Sequence, residues 1–235
     1  MNRKENLNRL STINIDNNHP YFLHYISYHK ELKKAIIQYA KGDLLDIGCG
    51  NKPYELLFEG LITKYIGCDI IQSNQNKVDI LSAANNIPLE NESFDTIFST
   101  QTIEHVEDHQ GLVNEAYRLL KPGGYFILSG PMYWPLHEEP YDFFRFTKHG
   151  YRYILEKTNF NIVKIQANGG NWATSGQALI HAFESAKAKS FFNKVLISFY
   201  YRFNGKKIIN KLFKKLDENM YCEENTMNYV VVCQK

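Results

Sequence analysis

The sequence predicts an α/β domain built on a mostly parallel sheet, and three observations carry that expectation. Leu44 to Tyr54 reads LLDIGCGNKPY, an apolar run that ends in an acid, Asp46, and passes at once into a turn with Gly48 and Gly50. A short apolar run ended by glycines suits a strand buried on both faces, and glycines are needed where the chain turns sharply and a ligand must approach bare backbone. LITKYIGCDI repeats the pattern and ends in Asp69. An acid at a strand tip about 20 residues beyond such glycines is placed to bind a ribose diol. Downstream, strand-like and helix-like stretches alternate, as expected of βαβ units.

Taken in order, Val78 to Leu81 forms a third apolar run and Phe94 to Ser99 a fourth strand. Glu107 to Leu120 reads as a helix, with Leu112, Ala116, Leu119 and Leu120 on one face. Lys121-Pro122-Gly123-Gly124 ends it, and Tyr125 to Ser129 is a fifth strand. Thr147 is placed to cap a helix over Tyr151 to Thr158, Phe160 to Gln166 is a sixth strand, and Tyr229 to Cys233 is the last. Upstream, Tyr21, Phe22, Tyr25 and Tyr28 share one helical face.

The chemistry of the first turn narrows the ligand. The dinucleotide fingerprint G-x-G-x-x-G is broken here by Pro53. The Asp46 carboxylate would repel a pyrophosphate and suits a ligand carrying positive charge, which argues against a nicotinamide cofactor. The chain has 235 residues and a net charge of +2, enough for one α/β domain with a sizeable core. There is no low-complexity linker and no internal repeat. MNRKENLNRL has no apolar core of a secretory signal, and no run of about 18 apolar residues predicts a spanning helix. Cys49, Cys68, Cys222 and Cys233 form no C-x-x-C pair and are expected to be reduced, in the cytoplasm.

The ordered set DIGCG, YIGCDI, IPLENESFDTI, STQTIEHVED and RLLKPGGYFIL resembles the class I S-adenosylmethionine (SAM)-dependent methyltransferases, in particular the type 11-like branch. The resemblance covers about residues 42 to 170 and the last strand. It implies a Rossmann-like, seven-stranded, mostly parallel sheet with helices on both faces and an antiparallel last strand. It also implies SAM as cofactor. SAM carries an ammonium and a sulfonium and no phosphate, in keeping with the acid at position 46. By resemblance, Asp46 leads the glycine turn, and Gly48, Cys49 and Gly50 back the methionine part of SAM. Asp69 is the ribose acid, with Ile70 beside the adenine. The usual adenine-loop acid is missing, since Asp79 comes too early, so backbone around Ser82 and Ala83 is expected to serve. Thr100 and Gln101 border the methionine. In relatives an amino-terminal helix closes over SAM; a plain aromatic stripe packed on the sheet is the other reading of Tyr21 to Tyr28.

Some relatives carry E-x-x-E-H and use it to bind a divalent metal. Here Gln101 replaces the first acid of Q-T-I-E-H, and no metal is expected. Beyond the fifth strand, PMYWPLHEEPYDFFRFT resembles the H-E-x-P-x-D-x-x-R-[YF]-T pattern of a branch associated with surface-glycan biosynthesis. His137 and His105 are the candidate catalytic bases, and Glu138, Tyr141 and Arg145 the candidate substrate-binding residues. An Asp142–Arg145 pair tying down a loop is the plainer reading of that acid and arginine.

From Ala186 to Leu216 there are nine lysines and arginines and no acid, which leaves −7 on the rest of the chain. Phe191, Phe192, Val195, Leu196, Phe199, Tyr200 and Phe203 follow a helical rhythm, and Ile208, Ile209, Leu212, Phe213 and Leu216 repeat it after Asn204-Gly205. A basic amphipathic stretch of this kind suits a membrane surface; a helical pair packed on its own domain or on a twin subunit is the alternative. The expected division is an amino-terminal helical cap over 1–41, a SAM-binding core over 42–170, a basic helical insertion over 171–224 and a final strand over 225–235. The expected activity is methyl transfer to a hydroxyl of a small molecule, sugar or lipid-linked glycan, in the cytoplasm, with 186–216 either meeting the inner membrane surface or packed on its own domain or a twin subunit in a homodimer. An RNA methyltransferase using the insertion to bind phosphates, and a non-catalytic partner subunit, are the alternatives.

Overall fold

The computed structural model describes residues 15–235, so the first part of the 1–41 cap lies outside the described residues. Helix α1 (Phe22–Tyr39) comes first. Then follow β1 (Gly42–Ile47), β2 (Ile62–Asp69), the short β3 (Ile80–Leu81) and β4 (Phe94–Thr100). Helix α2 (His109–Leu119) leads into β5 (Leu120–Pro131), and α3 (Lys148–Glu156) into β6 (Asn161–Asn168). Three helices, α4 (Asn171–Glu184), α5 (Phe191–Arg202) and α6 (Gly205–Asn219), precede β7 (Asn228–Gln234).

The seven strands lie in the order β3-β2-β1-β4-β5-β7-β6. The first five pair in parallel, and β7 runs antiparallel between β5 and β6. Sequence reasoning anticipated this architecture, strand for strand. Its helix boundaries ran long: α2 begins only after Asp108, whose side chain accepts the Gly111 amide as an N-cap. Thr147 caps α3 through the Gly150 amide, as its sequence position suggested.

Consecutive side chains of a strand face opposite sides of a sheet, so each central strand feeds two cores. Leu45, Ile47, Ile97, Phe126, Leu128 and Val231 pack on α2 and α3. Leu44, Phe98, Ile127, Val230 and Val232 pack on α1, through Tyr28, Leu32 and Ile36. A third, smaller core joins Phe22 and Leu23 of α1 to Ala173 and Ile180 of α4 and Ile209 of α6. Helices α4 and α6 approach closely at Gly176, where an added Cβ would lie 2.6 Å from Phe213. Asp217 of α6 accepts the Gly170 and Ala173 amides, satisfying the start of α4. Among the described residues no helix is long and apolar enough to cross a membrane.

Candidate active site

The parallel register places the two strand-end acids together. Asp46 of β1 pairs with Gly67 of β2, one strand-turn from Asp69. Both acids are buried. The chain then turns through Gly48 and Gly50, whose φ values of 80° and 50° lie in the left-handed region. Gly48 could not be replaced cheaply, because a Cβ there would meet Thr102 at 2.1 Å. The turn is pinned to the neighbouring strand: Gly48 and Cys49 amides donate to the Cys68 carbonyl, and the Gly50 amide to the Asp69 carboxylate at 3.1 Å. Cys49 fills the turn as a buried thiol whose pKa burial pushes up, which leaves it no nucleophilic character at neutral pH.

Two adjoining cavities open on these acids. The smaller, about 90 Å³, is lined by Asp46, Gly48, Gly50, Asp69, Thr100 and Gln101 on one side and by His24, Tyr25, His105, Trp134, His137 and Glu138 on the other. The larger, about 1010 Å³, starts from Asp69 and Gly48 and runs past Ile70, Ser82, Ala83, Asn85, Tyr141 and Phe143. Gly48, Asp69, Thr102 and His105 belong to both. The smaller space has carboxylates for a cationic group, and the larger has room for a nucleoside beside the Asp69 carboxylate. The donor set thus fits a cationic nucleoside such as SAM. Helix α1 both packs on the sheet and contributes a wall, so the two readings of its aromatic stripe are compatible.

Burial is the first cause of the unusual acidity of Asp46. It pushes the carboxyl pKa up to about 7; the bond from the Tyr65 hydroxyl, at 2.6 Å, pulls back and the neighbouring Asp69 charge pushes further. Tyr65 was not singled out in the sequence, although it belongs to the same apolar run as Asp69. Asp79 has a structural position: its carboxylate holds Lys52 at 2.6 Å and accepts the Gly67 amide.

The opposite wall is built from loops. His105 ends a one-turn 3-10 helix (Ile103–His105) after β4. Its Nδ1 lies 2.8 Å from the Tyr141 carbonyl, which can only accept, so Nδ1 carries a hydrogen and Nε2 points away from that bond. That Nε2 is 4.0 Å from both Glu104 and Glu138. His137 lies across from it, with ring centroids 4.6 Å apart. Nδ1 of His137 is 3.2 Å from the Asp142 carboxylate and from the Pro135 carbonyl, so here too Nδ1–H is oriented and Nε2 is the lone-pair nitrogen. Burial lowers the His137 pKa and the nearby His105 lowers it further, against the pull of Asp142. Asp142 stays anionic. Burial alone would raise its pKa, but the Arg145 guanidinium and the His137 amide hold it at about 2.

Arg145 requires a correction as a substrate-binding candidate. Its guanidinium is spent on Asp142 at 2.6 and 2.8 Å and on the carbonyls of Trp134, Pro135 and Phe144. It braces the loop and lines neither cavity. Gln101 also has structural duties, donating to Ser129 and Asn228, while one edge faces the smaller cavity. For Glu104 the sequence offers two readings, a metal ligand as in some relatives or a helix-packing and hydrogen-bonding residue. It is fully buried, and neither carboxylate oxygen finds a hydrogen-bond partner in another residue. Burial pushes its pKa up to about 7, with His105 pulling back. Glu104, His105 and His137 present ligand atoms within 4.8 Å of one another, close enough to hold a divalent cation without the acid that Gln101 replaces.

Comparisons with known proteins point the same way. The methyltransferase domain family matches residues 45–128. A probable S-adenosylmethionine-dependent methyltransferase of Mycolicibacterium smegmatis is 32% identical over 97 residues, covering 38% of this chain and 38% of that protein. A sterol 24-C-methyltransferase of Schizosaccharomyces pombe is 27% identical over 124 residues, covering 44% of this chain and 30% of its own length. The chain thus spans well under half the length of these relatives. Among solved structures, a SAM-dependent methyltransferase from Archaeoglobus fulgidus shares the fold, with a TM-score of 0.56 at 18% identity over 91% of this chain and 94% of the other.

Proposed function

We propose that this chain, which belongs to the class I SAM-dependent methyltransferases, transfers a methyl group to a hydroxyl of a small molecule, sugar or lipid-linked glycan. When bound, SAM supplies a methyl group already activated on a sulfonium. The residues therefore have three tasks: to hold the donor, to align the acceptor and to take its proton. Asp46 pairs with the cationic amino-acid end, and Gly48, Cys49 and Gly50 let that end lie against bare backbone. Asp69 accepts from the ribose hydroxyls. Ile70, Ser82 and Ala83 flank the base, and Thr100 and Gln101 close the methionine side.

One observation carries the choice of a hydroxyl. His137 faces the cavity across from the acids, with its Nδ1–H fixed by Asp142 and its pKa lowered by burial. A neutral imidazole whose Nε2 lone pair meets an incoming alcohol suits the removal of a proton that leaves during methyl transfer. A carbon acceptor, as in the sterol enzyme's name, gives such a base a different task. His105 is the second candidate base, and Glu138 and Tyr141 are placed to contact the acceptor.

Calorimetry should show binding of SAM and of its demethylated product, with nothing comparable for NAD(H); the reverse order sinks the reading. Methyl transfer should then be screened on nucleotide sugars, lipid-linked sugars and RNA, each with and without a chelator. Transfer to a sugar hydroxyl that survives chelation supports histidine as the base. Loss on chelation makes His105 and His137 metal ligands instead, and transfer to RNA alone replaces the acceptor class.

A further inference from the structure

Helix α5 carries its apolar face toward water. At about 100° per residue, Phe191, Val195 and Phe199 share one arc with Phe192, Leu196 and Phe203. Tyr200 lies just past the edge of that arc, beyond Leu196, and is the one buried residue of the helix. Its ring stacks on Phe183 of α4 at 4.4 Å, and its hydroxyl donates to Glu184. A helix of a globular protein normally does the reverse and turns its apolar stripe inward. Here Phe191 is 83% exposed and Phe192 73%, and Val195, Leu196, Phe199 and Phe203 are exposed as well. A contiguous apolar surface of this kind marks an interaction site.

The adjoining helix supplies charge. α6 is docked through its inner side, where Ile209 and Asn210 are buried and Asn210 donates to the Asn17 and His19 carbonyls. Its outer side is a ridge of Lys207, Lys211 and Lys215, one turn apart and exposed, next to the exposed Ile208 and Leu212. Lys206 pairs with Glu184 and Lys214 with Glu218. The other basic side chains of 186–216 make no ion pair among the described residues.

Charge decides what covers the α5 face. The segment has nine basic residues and no acid, so a two-fold contact of this face with itself would set like charges against each other. An anionic partner is complementary. The exposed phenylalanines are interleaved with the aliphatic Val195 and Leu196 and continue into Ile208 and Leu212, a mixed aromatic and aliphatic surface of the kind that enters acyl chains. We propose that α5, flanked by the lysine ridge of α6, docks on an anionic phospholipid surface, with the phenylalanines in the interface and the lysines among the headgroups. This goes beyond the catalytic reading and does not depend on which acceptor is methylated.

The test is flotation of the full chain with phosphatidylcholine vesicles, with and without phosphatidylglycerol. Wild type should float with the anionic vesicles only, and salt should weaken the association. A Phe191→Ser, Phe192→Ser, Phe199→Ser variant and a Lys207→Glu, Lys211→Glu, Lys215→Glu variant should each lose at least tenfold in bound fraction. Calorimetric SAM binding, unchanged in both variants, shows that they are folded and keeps this result separate from the methyltransferase reading. Wild type that floats with neither vesicle overturns the proposal, as does binding untouched by both variants. A dimer in solution that the serine variant dissociates would give the face to a second copy. Salt-sensitive binding of RNA without vesicle binding would give it to nucleic acid.

Discussion

On the strand side of the cleft, Asp46 and Asp69 hang from the ends of neighbouring parallel strands, and backbone register alone sets their spacing. On the loop side, His105, His137 and Glu138 come from irregular segments, and side-chain bonds to Tyr141, Asp142 and Arg145 set theirs. Each side holds a buried carboxyl raised to about 7, but Asp46 has Tyr65 as a donor while Glu104 has no hydrogen-bond partner in another residue. The strand side thus presents carboxylates, and the loop side imidazoles oriented by their Nδ1 contacts. Under the proposed roles, binding and chemistry are separable by mutation.

The largest effect should come from the loop side. His137→Ala should lower turnover about 10²-fold or more with an alcohol acceptor, while SAM affinity stays within a few-fold of wild type. Asp142→Asn should follow it with a smaller loss, because the imidazole keeps its place but loses its charged orienting partner. If His137→Ala and His105→Ala both turn over within a few-fold of wild type, the loop side only aligns the acceptor.

The strand side should respond in the opposite sense. Asp46→Asn and Asp69→Asn should each weaken SAM by roughly ten- to a hundredfold, the cost of losing a charged hydrogen-bond partner. Turnover at saturating SAM should change less than affinity. Folded variants that bind SAM like wild type would remove these acids from the cofactor site.

The same contrast governs what could be read from sequence. Asp46, Gly48, Gly50 and Asp69 were legible because strand periodicity and turn sterics leave few alternatives. Tyr65 was not, since nothing in its own strand pattern says that its hydroxyl reaches across to Asp46. For Arg145 the sequence offers both a substrate ligand and, more plainly, a partner for Asp142; the fold of the loop shows the pair and adds the carbonyls of Trp134, Pro135 and Phe144 that take its other donors. The complete burial of Glu104 is likewise a property of the fold, in which the Phe143 and Phe144 amides hold its carbonyl and Gly130 of β5 leaves room beside its carboxylate. In the insertion, periodicity identified both amphipathic helices. It could not say which face turns inward, because the rhythm of α5 is the same whether its stripe meets the sheet or the solvent.

The last of these effects concerns pH, and it compares the two buried carboxyls directly. Free carboxyls lose their proton near pH 4, whereas Asp46 and Glu104 keep theirs in the folded chain up to about 7. Between those values these two groups hold more protons in the native state than in the unfolded one, so their contribution to the stability of the ligand-free protein is fully present near pH 4 and falls as pH rises toward 7. Each carboxyl contributes on the order of a few kcal/mol to that fall. Cofactor binding should move the other way. A cationic ligand needs Asp46 charged, so below pH 7 binding must expel its proton, and SAM affinity should rise by up to about tenfold per pH unit before levelling off. Calorimetry in buffers of different ionisation enthalpy would count the proton released at pH 6. Asp46→Asn should abolish that release and flatten the affinity profile. Glu104→Gln should leave the release intact while reducing the pH dependence of thermal unfolding. The opposite assignment, with release lost in Glu104→Gln and kept in Asp46→Asn, would place the cation on the loop side of the cleft.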